Sequence, residues 1–230
     1  MISLPHRTVF VHIPKCGGQS IEAAFCEDLG LDWARHRHLL LMFERPENGG
    51  WGGSVNRLAH LPARDYVDHD YLPRGLWETF FTFSTVRNPF ARLESLYFYS
   101  RANKRADFEA FVNRMVPRRI ANEMYRPQST FLTDAEGEVL VSRIYRLETL
   151  SRDWSDIRRR AGLSTDLPHK NRSTRAPLEW TDRMRDIARE VYADDFTLLA
   201  YDPETGAPMG DALPSGAGPA TAGVPSHGPG

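Results

Sequence analysis

The sequence predicts an α/β fold with a mostly parallel central sheet flanked by helices. Three observations carry this prediction. A strand, a glycine-rich turn and a helix follow one another between residues 8 and 29, a second strand runs into a helix between residues 78 and 101, and amphipathic helical segments recur after that. Strands that alternate with helices are typical of layered folds built on a parallel sheet.

The first unit is a short buried strand followed by a helix. Residues 8–13 (TVFVHI) are mostly β-branched and aromatic, which favours a strand. Pro14 interrupts the run, and residues 20–29 then carry apolar side chains at helical spacing, with Gly30 as a stop. His12 falls inside the strand and is interpreted as a core histidine with a satisfied hydrogen bond.

The second unit repeats this order. Residues 78–86 form a strongly apolar strand pattern, and Asn88 and Pro89 end it. Proline suits the first turn of a helix, which we predict over residues 90–101. Ligands of such sheets bind beyond the carboxyl ends of the strands, so the ends at Pro14 and Asn88 are expected to face one crevice. We expect the whole to form a three-layer, P-loop-like fold.

The remaining elements are shorter or less certain. Residues 36–43 fit more than one type of structure, and a turn is expected at Glu136-Gly137. Further segments are predicted as helices over residues 107–116, 150–161 and 178–192, and as a strand over residues 144–147.

Length and composition indicate one domain with a tail. The 230 residues suffice for a single large core, which we place at residues 1–202. Residues 203–230 are rich in Pro, Gly, Ala and Ser and nearly lack large apolar side chains. Such a segment buries too little surface to offset its ordering entropy, so a disordered tail is predicted.

Charge and cysteine content exclude several function classes. A net charge of −1 argues against a nucleic-acid coat, which would carry a basic excess. Cys16 and Cys26 match no zinc or redox spacing, so we expect reduced thiols and no metal. No apolar run reaches the roughly 18 residues of a membrane span. The first residues lack the pattern of a signal peptide, so a cytoplasmic protein is expected.

The turn after the first strand has the composition of a phosphate-binding loop. Gly17 and Gly18 allow backbone N–H groups to turn toward an anion, and the following helix points its N-terminus at the same place. Lys15 adds a positive charge and Ser20 a hydroxyl group. Lysine, paired glycines and serine in one strand-to-helix turn therefore predict a phosphate site.

The order of residues in this loop differs from a Walker A motif. That motif places lysine after its last glycine, whereas Lys15 precedes both glycines. The second strand ends at Arg87, where a nucleotide kinase would need an acidic ligand for Mg²⁺. Ser95, about two helical turns further on, is placed to reach the same phosphate as Arg87. A P-loop kinase or NTPase-like phosphotransferase and a non-catalytic nucleotide-binding module remain the alternatives.

These two segments resemble the sulfotransferases, in particular the branch that contains the heparan sulfate 2-O-sulfotransferases. In that family a segment of the form IPKxGGxS binds the 5′-phosphosulfate of 3′-phosphoadenylyl sulfate (PAPS). A second segment, RxPxxRxxSxY, binds its 3′-phosphate. Residues 13–20 and 87–97 fit the two patterns, and the resemblance extends over most of residues 7–202.

The resemblance implies transfer of a sulfuryl group from PAPS to an acceptor hydroxyl, on a carbohydrate in this branch, without a metal. Lys15 is then catalytic and also binds the donor. The other donor-binding positions implied are Cys16, Gly17, Gly18, Gln19 and Ser20 in the first loop, Arg87 and Ser95 for the 3′-phosphate, and Arg172, Ser173 and Arg175 in a loop that closes over the donor. Cys16 and Gln19 stand where threonine is common in the family.

His60 is the predicted general base. An acceptor hydroxyl must lose its proton as it attacks, and a histidine that titrates near neutral pH suits that role. Residues 59–63 resemble the family segment that carries the catalytic histidine. His36, His38 and His69 are weaker candidates.

Overall fold

The computed structural model describes residues 1–41, 58–168 and 178–216. Within these ranges the core is a four-stranded sheet whose strands follow one another in chain order. The first pair is antiparallel and the other two pairs are parallel. The predicted mixed α/β fold with a mostly parallel sheet is thus confirmed. The strands are β1 (Ile2–Ser3), β2 (Thr8–Val11), β3 (Phe81–Val86) and β4 (Arg143–Arg146).

The parallel strands end along one edge of the sheet. Val11 lies opposite Ser84, so β3 continues for two residues past the end of β2. Val86 then lies opposite Arg146, where β3 and β4 end together. Every residue of β2 and β3 is buried, which explains why both read as apolar runs rather than as alternating patterns.

Helices pack on both faces of the sheet. The helices, in chain order, are α1 (Gly18–Asp28), α2 (Trp33–His36), α3 (His38–Leu41), α4 (Ala63–Asp68), α5 (Arg74–Trp77), α6 (Pro89–Tyr99), α7 (Phe108–Ala110), α8 (Val116–Arg118), α9 (Leu150–Ala161), α10 (Asp182–Val191) and α11 (Ala193–Leu198). None of the helices in the described ranges is both long and apolar enough to span a membrane.

Two apolar clusters separate the layers. Val9 and Val11 of β2 contribute to one cluster, with side chains of α6 and α10. Phe10 and Phe83 contribute to the other, with side chains of α1 and α9. Because successive side chains of a strand point to opposite faces, this alternation shows a sheet covered by helices on both sides.

Several element boundaries differ from those predicted. The first strand ends at Val11, so His12 lies just beyond it at the edge of the sheet. The second strand starts at Phe81, because residues before it form α5 and a turn in which the Phe80 N–H bonds to Leu76. The predicted helix over residues 107–116 contains a π-helical stretch, Phe111–Met115. The last predicted helix starts at Asp182, where the Thr181 side chain caps it.

The segment after residue 202 packs on the domain as far as the structure describes it. Residues 203–216 were predicted as part of a disordered tail, yet Arg146 donates to the Gly210 carbonyl oxygen at 2.8 Å. The Gly216 N–H donates to Val141 at 2.7 Å, and Arg189 donates to Pro203 at 2.8 Å. The ordered body therefore extends past the predicted boundary. Residues 217–230 lie outside the described ranges.

Candidate active site

The turn between β2 and α1 leaves the start of the helix open to a ligand. Gly17 is the N-cap residue in the left-handed conformation (φ 84°), and no side chain caps the helix. Lys15 also has a positive φ of 70°, which is uncommon for a residue with a side chain. The uncapped N–H groups and the positive end of the helix dipole form a site for an anion.

Both glycines of this turn are required by their surroundings. Gly17 combines a positive φ with the Leu147 Cδ1 atom, which would lie 2.6 Å from an added Cβ. A Cβ on Gly18 would collide with the imidazole ring of His12. The pair of glycines therefore serves both the backbone conformation of the loop and the close approach of two side chains to it.

The side chain of Gln128 joins this loop to the end of β3. Its Oε1 accepts hydrogen bonds from the Arg87 N–H at 2.8 Å and from the Cys16 Sγ at 3.1 Å. Its Nε2 donates to the Arg87 carbonyl oxygen at 2.8 Å. Thr85 adds a bond from its hydroxyl to the Cys16 carbonyl oxygen at 2.7 Å. The two strand ends thus lie side by side, as the sequence predicts.

The two arginines of the second motif have different roles. Arg92 is buried and donates to backbone carbonyl oxygens of Pro14 at 3.1 Å, Arg126 at 2.9 Å and Met124 at 3.3 Å. Its guanidinium is therefore used within the protein. Arg87 is half-buried, and its guanidinium forms no hydrogen bond or ion pair with another described residue. Arg87 is the arginine available to a ligand.

Lys15 and Ser95 lie toward the same side of α6. The Lys15 Nζ atom is 4.0 Å from the ring centroid of Tyr99, a cation–π contact. Tyr99 follows Ser95 by four residues, so their side chains share one helix face. Ser95 is half-buried. The structure therefore brings Lys15 of the first motif next to the face that carries Ser95 of the second.

Cys16 acts as a neutral hydrogen-bond donor. Burial raises the pKa of its thiol to about 12, although the charges of Arg92 and Arg87 act in the opposite direction. The protonated thiol donates to Gln128 at 3.1 Å. Cys16 thus points into the protein and supports the loop, whereas the prediction had it among the donor-binding residues. Its backbone is also bonded within the protein, because the N–H donates to the Ile13 carbonyl oxygen at 3.3 Å and the carbonyl oxygen accepts from Thr85.

Two carboxylates, one buried and one exposed, form hydrogen bonds with residues around the site. Asp195 is completely buried and accepts from the backbone N–H groups of Gln128 at 2.9 Å and Ser129 at 2.8 Å. Burial raises the pKa of this carboxyl group, and Arg92 acts against that shift. Glu148 accepts from the Asn88 N–H at 2.8 Å and from the Tyr201 hydroxyl at 3.0 Å.

These supporting residues were not singled out from the sequence. Gln128, Glu148 and Asp195 fall in segments that the resemblance covers, but no role followed from their type. Each stands among other polar residues in the sequence, so no local pattern distinguishes it.

His60 lies in a turn before α4, and its ring contacts the ring of His12, which lies beside the phosphate loop. Its φ is 65°, and its Nδ1 is 3.3 Å from Glu123 Oε1. The rings of His60 and His12 meet edge to face with centroids 5.0 Å apart. Because His12 contacts Gly18, the predicted base is close to the phosphate loop.

The weaker candidates lie in other contexts. His36 contacts the backbone of Asp32 at 3.1 Å, and His38 and His69 are exposed. Two further donor-binding candidates belong to the first turn of α1, where Gln19 is exposed and Ser20 is half-buried.

The predicted closing loop cannot be placed. Arg172, Ser173 and Arg175 lie outside the described residues. The chain resumes at Leu178, and the Trp180 Nε1 donates to Glu94 Oε1 at 2.8 Å, beside Ser95 on α6. In the described part of the chain, no group of three or more His, Cys, Asp or Glu side chains is arranged to hold a metal ion.

Comparison with known proteins gives one result. A family model described as the sulfotransferase family matches residues 1–202. Searches of the curated proteins and of the solved structures return no match. The match agrees with the resemblance found in the two motifs at the level of the family. Because it covers most of the 230 residues, the chain belongs to the sulfotransferase family.

Proposed function

We propose that this protein transfers a sulfuryl group from PAPS to a hydroxyl group of a carbohydrate acceptor, without a metal ion. Membership of the sulfotransferase family supports sulfuryl transfer. The observation that carries the choice of donor is the pairing of the phosphate loop with Arg87 through Gln128. PAPS has two separated phosphate positions, and this arrangement supplies two separate anion sites. We also propose that the fold has P-loop-like layering and that the chain belongs to the heparan sulfate 2-O-sulfotransferase branch.

The residues present fit such a donor. The uncapped start of α1 and Lys15 are suited to the 5′-phosphosulfate, because both place positive charge at the Gly17–Gly18 turn. Arg87 and Ser95 are suited to the 3′-phosphate, and this contact would distinguish PAPS from ATP, which has a hydroxyl there. Arg172, Ser173 and Arg175 are assigned to the donor by the same proposal.

The transfer requires little covalent chemistry from the protein. The acceptor oxygen attacks sulfur, the bond between sulfur and the bridging oxygen breaks, and adenosine 3′,5′-bisphosphate leaves. Lys15 stabilises the negative charge that grows on the leaving phosphate. His60 accepts the proton of the acceptor hydroxyl through Nε2, while Glu123 at Nδ1 keeps the ring in the matching tautomer.

We assign the acceptor to a cleft that includes Arg64 of α4. This cleft of about 330 Å³ is lined by Arg64, Arg126, Pro127 and Thr130, among others. Arg64 follows His60 by four residues in the chain. The cleft offers donors and acceptors for sugar hydroxyl groups. Tyr99 is 60% exposed and able to stack on a sugar ring, whereas Trp77 and Tyr97 are buried.

Two other functions are less well supported. A P-loop kinase or NTPase needs an acidic Mg²⁺ ligand at the end of the neighbouring strand, and β3 is followed by Arg87 instead. A non-catalytic nucleotide-binding module has less support, because the family model that matches residues 1–202 describes sulfotransferases.

Calorimetry with purified protein tests the donor. Adenosine 3′,5′-bisphosphate is expected to bind without Mg²⁺ and at least tenfold more tightly than ATP–Mg²⁺, because Arg87 and Ser95 are matched to its 3′-phosphate. Tight ATP–Mg²⁺ binding with no response to the bisphosphate would rule the proposal out. A screen of carbohydrate acceptors with ³⁵S-labelled PAPS then tests transfer.

A further inference from the structure

His12 and Glu22 form a buried pair beside the phosphate loop. The Nδ1 of His12 is 2.5 Å from the Oε1 of Glu22, and the two residues are 8% and 2% exposed. Removing both groups from water is costly unless each is well paired. The pairing satisfies Nδ1 of the imidazole and one oxygen of the carboxylate, but it leaves the other ring nitrogen to be explained.

The carboxylate of the pair is ionised at neutral pH. Burial alone would raise the pKa of Glu22, but the charge and hydrogen bond of His12 outweigh it, and the pKa falls below its ordinary value. The Met1 amino group and Trp33 act in the same direction. The carboxylate accepts a hydrogen bond from Nδ1, so the pairing holds a proton on that nitrogen of the imidazole.

The Nε2 side of the same ring faces the loop. An added Cβ on Gly18 would overlap Nε2 and the two ring carbons bonded to it, whereas Nδ1 is occupied by Glu22. Among the described residues, Nε2 has no hydrogen-bond partner. His12 as a residue is about nine-tenths buried, and a ring nitrogen that faces an anion site without a protein partner is positioned to donate to a ligand bound there.

We propose that His12 is a further donor-binding residue: Glu22 holds its Nδ1, and its Nε2 donates a hydrogen bond to the 5′-phosphate bound at the Gly17–Gly18 turn. This proposal rests on the proposed function, since it requires a nucleotide donor at the loop. It changes the role of His12 from a core histidine to a part of the site. It also explains why residue 18 is glycine, because the His12 ring leaves no room for a Cβ atom there.

Two substitutions of His12 separate this role from a structural one. In His12→Asn the amide replaces Nδ1 and keeps the bond to Glu22, but no atom remains at Nε2. In His12→Gln the amide nitrogen approaches the position of Nε2, and Glu22 loses its partner. A structural role makes His12→Asn the milder change in every assay. Under the proposed role, His12→Asn is still the milder change for stability but is the more severe change for ligand binding.

Calorimetry and thermal unfolding of both variants give the test, with adenosine 3′,5′-bisphosphate as the probe. His12→Asn is expected to keep its melting temperature near that of wild type and to bind about tenfold or more weakly. His12→Gln is expected to melt lower and to bind within about threefold of wild type. Equal binding by wild type and His12→Asn would overturn the proposal. A wild-type protein that ignores the probe would instead refute the proposed function.

A measurement on the wild type keeps the proposal testable if His12→Gln does not fold. NMR titration with the probe is expected to shift the ¹⁵N resonance of His12 Nε2, because a hydrogen bond to the bound anion forms at that nitrogen. The charged and titratable groups around the pair are His60, the Met1 amino group and Tyr66. His6, paired with Asp28 at 3.0 Å at the other end of α1, is the matched control and should not respond. An unchanged His12 Nε2 resonance would contradict the proposal.

Discussion

The side-chain amide of Gln128 pairs with the backbone of Arg87 through both of its polar atoms. Oε1 accepts from the Arg87 N–H and Nε2 donates to the Arg87 carbonyl oxygen, each at 2.8 Å. The amide therefore continues the hydrogen-bonding pattern of a strand at the point where β3 ends. Since the same Oε1 also holds Cys16, Gln128 fixes the spacing between the two proposed phosphate sites.

Gln128→Leu is expected to weaken binding of adenosine 3′,5′-bisphosphate by at least tenfold and to lower the free energy of unfolding by about 2–3 kcal/mol. The substitution keeps the side-chain volume but leaves buried backbone groups of Arg87 without partners. Calorimetry and chemical unfolding measure the two effects. Thr197→Val, which removes an exposed hydroxyl that bonds to a backbone carbonyl oxygen of α11, is the control. Unchanged nucleotide binding by Gln128→Leu would contradict this role.

Lys15→Ala is expected to lower the rate constant of sulfuryl transfer by about 10²–10³, as for the loss of one donor to a developing negative charge. Binding of the product adenosine 3′,5′-bisphosphate should weaken less than the rate falls, because the charge on the leaving oxygen is greatest in the transition state. Single-turnover kinetics separate the two quantities. Lys104→Ala removes an exposed lysine and should change neither.

Arg87→Ala is expected to abolish the preference for a 3′-phosphate. Wild type should bind adenosine 3′,5′-bisphosphate about 10–100-fold more tightly than adenosine 5′-monophosphate, a ratio typical of one charge-assisted hydrogen bond. In Arg87→Ala the two affinities should approach each other, since binding at the loop is untouched. Ser95→Ala should reduce the ratio less. Ser100→Ala, on the C-terminal end of the same helix, is the control. A ratio that survives in Arg87→Ala would place the 3′-phosphate elsewhere.

The parts of the site that the sequence predicts are those with local signals. A β-branched run, paired glycines and an Asn-Pro pair each act over a few residues, and they located the loop and the end of β3. The contact between Cys16 and Gln128 joins residues 112 positions apart, and no local pattern encodes it. The long-range polar contacts that set the spacing of the site thus required the structure.

Residues 203–216 and His12 show a different limit of prediction from the sequence. Residues 203–216 carry few large apolar side chains, which predicted disorder. The segment is held instead by hydrogen bonds to its backbone, such as that from the Arg146 guanidinium to the Gly210 carbonyl oxygen. A prediction based on the number of large apolar side chains does not detect such hydrogen bonds. His12 was predicted as a core histidine because it falls inside the predicted strand, whereas β2 ends at Val11 and leaves His12 at the edge of the sheet.

Cys16 is expected to resist thiol reagents while the protein is folded. Burial raises its pKa to about 12, so almost no thiolate exists at pH 8, and Cys26 is also buried. Reaction with a chromogenic disulfide should therefore be slow until denaturant is added. Cys16→Ser should retain the bond to Gln128 and most nucleotide affinity, whereas Cys16→Ala should lose the bond and part of the affinity. Rapid labelling of Cys16 in the native protein would contradict the buried, protonated thiol.

Glu22 is expected to make the stability of the protein depend on pH in the acidic range. Its pKa in the folded state is lower than its ordinary value of 4.5, so the unfolded state binds the proton more readily. The stability from its pairing with His12 is therefore fully present above about pH 4.5 and is lost as the pH falls through the lower, folded-state pKa.

Glu22→Gln removes this contribution, so its free energy of unfolding should be lower at pH 7 and should fall less than that of wild type on acidification. Urea unfolding between pH 7 and pH 3 measures both curves. Asp28→Asn removes the carboxylate of a second histidine pair, about 9 Å further along α1, and shows how much of any change in stability is common to such pairs. Parallel curves for Glu22→Gln and wild type would show that the Glu22 carboxylate does not set this pH dependence.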